Sequence, residues 1–375
     1  MLTCHCCGHH RAGVGVAGSP AGARHPYPTL DMHCHLLVPE VEALVGSHER
    51  KQAETAAQVA AMGAASHAHN QSMRVQIAAR LTDVNQRLED MDRLGIDVQV
   101  LSPSPTQYYY WADEALAERL VETQNVRIAQ VCMERPQRFI GLGAAALQHP
   151  ALAVRQLRDA VERHGLRGVE ISSDPTGRGL DDPALEPFWA EAQRLACVVF
   201  LHPLGTSLGE RVNRYYLANV IGQPLETTIA LSQLIHGGVL DRYPELKLCA
   251  AHGGGYLPYA AGRSDHAYGI RPEAAGCRAA PSGYLGRIWY DTVVFRPQAL
   301  EELARTVGAA RIVAGTDYPF DMGEYDLHAL LRGTCFGPEE VAGVLGGNAA
   351  ALLGLGDDHP AWAAARERAQ PGGRT

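Results

Sequence analysis

The chain has 375 residues, 46% of them hydrophobic and 20% charged, a balance that argues against a disordered chain and supplies one large buried core. A formal net charge of −8 and a pI near 6.1 argue against an electrostatic grip on nucleic acid or an anionic membrane, because both need clustered lysine and arginine. No apolar run reaches the roughly 20 residues of a membrane span and the first residues lack an apolar signal-like segment, so a cytoplasmic protein acting on small molecules is expected.

Residues 1–28 differ in kind from the rest. Cys4, Cys6, Cys7, His9 and His10 precede a Gly/Ala/Pro-rich stretch, and their spacing lacks the paired form of structural zinc sites. The segment reads as a flexible tail, with soft-metal binding as the alternative. Nine cysteines in all, with Cys132, Cys197 and Cys249 standing singly in apolar or helical surroundings, suit free thiols in a reducing compartment.

From Thr29 onward, short β-branched runs alternate with longer amphipathic segments, the pattern of βα units around a parallel sheet. Strands are expected at 29–33, 98–102, 139–144, 168–172, 198–202, 246–251, 288–291 and 311–314, enough to close a (β/α)8 TIM barrel over residues 29–356. Helices are expected at 84–94, 113–134, 151–164 and 186–196, each with apolar positions at three- and four-residue intervals. Residues 36–83 are too long for a simple loop and read as a lid insertion after strand 1. Residues 357–375 read as a C-terminal tail in which a helix frays.

The chemistry gathers at strand ends. His33 and His35 in Asp31-Met-His-Cys-His35 are two apart, so both imidazoles share a face while Met32 and Cys34 point the other way. His202 ends the fifth strand, His252 follows the sixth and Asp317 follows the eighth, and a carboxylate there is costly without a cation or donors. Five metal-competent groups therefore converge on one mouth. His252 is open to three readings: acid/base, fifth ligand or packed core histidine. Gly253, Gly254 and Gly255 lack the Lys-Ser/Thr of a phosphate loop and read as close backbone approach. The aromatic run 107–111 either walls a pocket or packs under the insertion.

These motifs carry a resemblance. Asp31-x-His33-x-His35, His202-Pro203, Ala251-His-Gly-Gly-Gly255 and Gly315-Thr-Asp-Tyr-Pro-Phe320, with Glu226-Thr-Thr-Ile-Ala230, Gly237-Gly-Val-Leu240 and Gly346-Gly-Asn-Ala349, are similar to the family of 2-amino-3-carboxymuconate-6-semialdehyde decarboxylase. That family is the decarboxylating branch of the amidohydrolase superfamily, and the similarity runs from about Leu30 to Leu355. The resemblance implies one divalent metal per chain, most often Zn2+ with Mn2+ or Fe2+ fitting the same donors, held by His33, His35, His202 and Asp317. It makes Asp317 catalytic as well as a ligand, and it makes His252 the acid/base. It also implies that Arg74 and Arg263 bind substrate carboxylates, Arg263 from the neighbouring subunit of a homodimer.

The residues agree with that chemistry. Loss of CO2 needs an anchored carboxylate and a proton delivered to carbon, and an imidazole, with an ordinary pKa of about 6.5, suits the transfer. The expected reaction is metal-dependent, non-oxidative decarboxylation of a small unsaturated or aromatic carboxylic acid. Alternatives are a metal-dependent hydrolase or hydratase acting on a related ring-cleavage product, lactone or amide, or a non-catalytic barrel that only binds. The chain departs from the family at Leu204-Gly-Thr206, where tryptophan usually follows the His-Pro pair, and in the inserted Ser66-His-Ala-His-Asn-Gln71. Both departures touch substrate grip and leave the ligand set intact.

Overall fold

The computed structural model describes residues 25–370, so the Cys/His cluster of the first segment lies outside the described residues. Nine parallel strand segments succeed one another: β1 (Leu30–Leu36), β2 (Val98–Pro103), β3 (Phe139–Gly141), β4 (Gly143–Ala144), β5 (Gly168–Ser172), β6 (Val198–His202), β7 (Lys247–Ala250), β8 (Trp289–Asp291) and β9 (Ile312–Val313). Segments β3 and β4 occupy one strand position, because Leu142 between them still donates its N–H to Leu101 O of β2 at 2.8 Å. The ring closes where Met32 N–H meets Ala314 O and His35 N–H meets Tyr318 O, both at 2.8 Å. Eight strand positions thus form a closed barrel with no free edge.

Side chains alternate between two cores. Val199, Leu201, Leu248, Ala250, Tyr290 and Ile312 face the surrounding helices, whereas Val98, Val100, Val198, Phe200, Cys249 and Val313 fill the barrel interior. Strand β1 breaks the alternation. Its register against β2 slips between Asp31, opposite Gln99, and Cys34, opposite Leu101. Three residues of β1 span two of β2, a bulge that turns the strand by one position. Met32 consequently joins the interior core with Leu30, instead of pointing opposite to the histidines as a regular strand requires, while Cys34 and Leu36 join the outer core.

The insertion is helical, with segments Pro39–Val45, Glu49–Met62 and Ala64–Thr82. Helix Glu49–Met62 buries no residue and Ala64–Thr82 buries only Ile77 and Leu81, so the insertion rests lightly on the barrel. The amphipathic helices keep near their expected places at Val84–Leu94, Glu114–Glu134, Pro150–Arg158 and Glu186–Arg194. Asp113 starts the second by accepting Leu116 N–H at 2.8 Å.

Of the expected tail 357–375, the described residues up to 370 include a helix. Helix Pro360–Ala369 turns Ala361 and Ala365 into the interior core beside Leu352 and Leu353, and Trp362 packs against the same cluster. This helix plugs the end of the barrel opposite the mouth. Truncation after Gly356 should therefore lower the unfolding free energy by about 2 to 4 kcal/mol, read from urea transitions of the metal-free chain. Unchanged midpoints would show that the plug adds nothing.

Candidate metal centre

The bulge in β1 brings His33 and His35 to the mouth together, with Nε2 atoms 3.1 Å apart. Asp317, in the turn after β9, places Oδ1 3.2 Å from His35 Nε2 and 3.4 Å from His33 Nε2. His202 at the end of β6 completes the group, and one ligand atom from each of the four lies within 4.8 Å of all the others. Four ligands bonded at roughly 2.0–2.1 Å in a tetrahedron sit about 3.3 Å apart, so the His33–His35–Asp317 triangle matches a divalent ion directly. His202 Nδ1 is buried and finds no hydrogen-bond partner.

Charge balance favours a cation at the same point. Burial would lower the His33 imidazole, but Asp317 and Asp291 outweigh it and raise it to about 10. Burial would raise the Asp317 carboxyl, yet His33, His252 and His35 hold it well below the usual carboxylate range. Burial and the facing His35, His33 and His252 rings push His202 well below its ordinary value. The chain therefore stabilises positive charge at one spot while keeping another imidazole neutral, the condition of a metal site.

Three buried carboxylates outside the ligand set support it, and the sequence had singled out none of them for this role. Asp291, at the end of β8, accepts His33 Nδ1–H at 2.6 Å and His252 N–H at 2.9 Å on one oxygen, and Gly253 N–H at 2.8 Å and Val293 N–H at 3.0 Å on the other. One residue thus fixes the tautomer of a ligand and the backbone of His252. Asp31 accepts Thr316 Oγ1–H at 2.6 Å and Thr316 N–H at 2.9 Å, tying β1 to the turn that carries Asp317. Burial raises its carboxyl to about 6 against these bonds. Glu170 accepts from Ser102 at 2.5 Å and from Tyr108 at 2.6 Å, and its Oε2 is 3.6 Å from His35 Nδ1. The strand-end position of Asp291 and the first residue of the Asp31-x-His33-x-His35 motif were the available signals.

His252 stands beside the four without joining them, its Nε2 3.6 Å from Asp317 Oδ2. Both residues take left-handed backbone, with φ of 55° and 59°, a conformation rare outside glycine and concentrated at functional sites. The glycines permit it. A Cβ on Gly255 would meet Pro224 O at 2.2 Å, and one on Gly315 would meet His33 Cβ at 2.8 Å. The Gly-rich run serves close backbone approach.

Two cavities open on Asp317. One of about 380 Å³, walled by Val293, Val294, Phe295 and Tyr256, includes His252. The other, of about 100 Å³, includes His202 and Arg74. Arg74 is thus brought to the metal pocket by helix Ala64–Thr82, and it also borders a third cavity of about 290 Å³ beneath the insertion. Arg263 lies exposed on helix Leu257–Ile270 and lines none of the three. The aromatic run packs under the insertion: Tyr109 donates to Glu42 at 2.5 Å, Trp111 Nε1 to Glu54 at 3.1 Å and Tyr108 to Glu170. Of that run, Tyr109 borders the third cavity, and none of it lines the two at Asp317.

Two measurements follow from this geometry. Because His33 holds a proton up to about 10 in the metal-free chain, binding the ion displaces it, and apparent affinity should rise about tenfold per pH unit for each proton released. Metal titration at neutral pH in lightly buffered solution should release about one proton per ion; no release would show that His33 is already neutral before the ion binds. Asp291→Asn, which keeps the shape but offers a donor where His33 already donates, should weaken metal binding by about 10- to 100-fold.

Residues 30–355 match the family model described as Amidohydrolase. The chain is 37% identical over 283 residues to the 2-amino-3-carboxymuconate-6-semialdehyde decarboxylase of Dictyostelium discoideum, covering 75% of this chain and 79% of that one. It is 28% identical over 261 residues to the gamma-resorcylate decarboxylase of a Rhizobium species, covering 66% and 80% of the two chains. Among solved structures, a 5-carboxyvanillate decarboxylase of Novosphingobium aromaticivorans with bound manganese and 3-methoxy-4-hydroxy-5-nitrobenzoic acid superposes with a TM-score of 0.80 at 24% identity, covering 90% of this chain and 99% of that one. The chain belongs to the amidohydrolase family, in the decarboxylase branch of the 2-amino-3-carboxymuconate-6-semialdehyde enzyme.

Proposed function

We propose that this enzyme removes CO2, without oxidation, from a small planar acid of the aminocarboxymuconate semialdehyde or hydroxybenzoate type. The observation that carries the reading is His252, placed in a cavity beside a complete ligand set and not consumed by it. A divalent ion on His33, His35, His202 and Asp317, Zn2+ by its fit to three imidazoles and one carboxylate, would supply a fixed positive charge for the substrate's oxygens. Arg74 grips a carboxylate from the polar side of the pocket, where its exposed guanidinium is free to fork onto two oxygens. His252, fixed through its backbone by Asp291, passes a proton to the carbon that loses CO2. The helical insertion acts as the lid, since it is lightly packed and carries Arg74.

The reading extends to a homodimer in the cytoplasm. Exposed Val220, Ile221, Ile229, Tyr259 and Ile270 give helices Gln223–His236 and Leu257–Ile270 and the turn before them apolar surface, and Arg263 stands on the second helix. That placement supports an arginine that reaches the partner's pocket. Buried Cys34, Cys197 and Cys249 stay free, with thiols pushed up by burial, which suits a reducing compartment.

CO2 release and product mass over a panel of hydroxybenzoates and muconate-type acids test the reaction; hydrated or hydrolysed products without CO2 would overturn it. His252→Ala should keep its metal and its fold while losing about 10²- to 10⁴-fold in turnover. Loss of metal in parallel with His33→Ala would reassign it as a ligand. Mixing Arg263→Ala with His252→Ala should restore part of the activity if the arginine acts across subunits, and no recovery counts against the dimer.

A further inference from the structure

The geometry points to Asn219 and Gln223 as the residues that select the substrate, by hydrogen-bonding a hydroxyl or amino group next to the carboxylate that is lost. This deepens the decarboxylase reading and rests on it. The two cavities at Asp317 are distinct in character, one apolar around His252 and one bearing Arg74, and Asn219 and Gln223 border both. They are four residues apart, Asn219 in the π-helical turn Ala218–Gly222 and Gln223 at the start of the helix that follows, and both belong to the lining that the two cavities share. Neither side chain hydrogen-bonds any described residue, and each offers a donor and an acceptor to whatever fills the cavities.

The backbone beneath them is shaped for that placement. Tyr215 and Tyr216 both take positive φ, 59° and 61°, and only Leu217 separates them from a π-helical turn, Ala218–Gly222, which runs into helix Gln223–His236. Such turns and such strain persist where the surroundings over-determine them, and they cluster at functional sites. Here Glu226, buried one turn beyond Gln223, accepts Ser207 N–H and Ser207 Oγ–H, both at 2.7 Å, and Thr206 Oγ1–H at 3.2 Å. A Cβ on Gly222 would strike Thr206 Cβ at 2.8 Å, so turn and loop are locked in contact. The backbone that carries the two amides is thus fixed by its neighbours, and their polar atoms are left for the substrate.

A planar acid laid across Asp317 would put its ring or diene in the apolar cavity and its carboxylate toward Arg74. Its substituent next to the carboxylate then meets the partition. An amide pair accepts from a hydroxyl or amino group and donates to its oxygen, whereas an unsubstituted acid leaves both amides unpaired.

The test compares benzoate with 2-hydroxybenzoate on the metal-loaded full-length enzyme by calorimetry. Wild type should bind 2-hydroxybenzoate about 10- to 100-fold more tightly. Asn219→Ala with Gln223→Ala should reduce that preference to within about threefold, with metal content unchanged. Any chelation of the ion by the probe is common to both forms, so the difference between them reports the amides. An equal affinity in wild type, a preference that survives in the double variant, or binding of neither acid overturns the assignment. Scoring CO2 release alongside separates the two claims. Turnover with an intact preference in the double variant sinks the amide reading alone, and a lost preference without CO2 from any acid sinks the decarboxylase reading alone.

Discussion

In a regular strand Leu30, Met32 and Cys34 would share one face and Asp31, His33 and His35 the other, so two histidines turned into the barrel would push Leu30 and Met32 out of its core. The slip of β1 against β2 between Asp31 and Cys34 removes that conflict. Below it, Leu30 and Met32 fill the interior; above it, His33 and His35 reach the mouth with their Nε2 atoms 3.1 Å apart. Asp31 sits at the bulge and receives the Thr316 hydroxyl and amide, which sets the turn bearing Asp317 against the same strand. The remaining ligand is positioned from an ordinary strand end. The metal centre thus depends on one extra residue in one strand.

So many polar groups out of water need compensation from one another. Asp291 receives four donors and Asp31 four, while Glu170 receives two hydroxyls, so none of the three carboxylates relies on a single partner. Among the four ligands the imidazoles face one another as well as Asp317, and the rings of His33, His35 and His202 meet edge to face at centroid distances near 5 Å. A cation turns that mutual crowding into attraction, because every ligand then has an opposite or polarisable partner. The site is best regarded as a framework already paired on its outside, with its inward atoms left for the ion and the substrate.

The barrel could be read from the sequence because its strands are short apolar runs separated by amphipathic helices, and each ligand sits where such a run stops. His202, His252 and Asp317 were visible for that reason. The bulge was not, since register depends on the partner strand and both phases of β1 are apolar enough to bury. Asp291 ended a predicted strand as His202 did, yet it stands in none of the quoted motifs, and its four donors come together only in the fold. The insertion was recognised by length but not as helices: residues 49–62 are rich in helix formers such as Ala, Gln and Glu and bury nothing, so no apolar stripe marks them. Arg263 could be placed by resemblance only, because within one chain it faces solvent on Leu257–Ile270.

The loop after β6 shows how substrate grip can change while the metal centre stays fixed. Where the resembling family has tryptophan, this chain has Leu204, which borders the polar pocket, followed by Gly205 with φ of 77° and by Thr206. A branched aliphatic chain fills less of the pocket than an indole and offers no N–H donor. The polar atoms of the loop turn away from the pocket instead, with Thr206 and Ser207 bonded to the buried Glu226. Those bonds tie the loop to the helix that begins at Gln223 and follows the turn carrying Asn219, so the space left by the smaller residue is faced by amides. In the proposed reading the substrate is recognised from the helix side of the pocket, while His33, His35, His202 and Asp317 stay where they are.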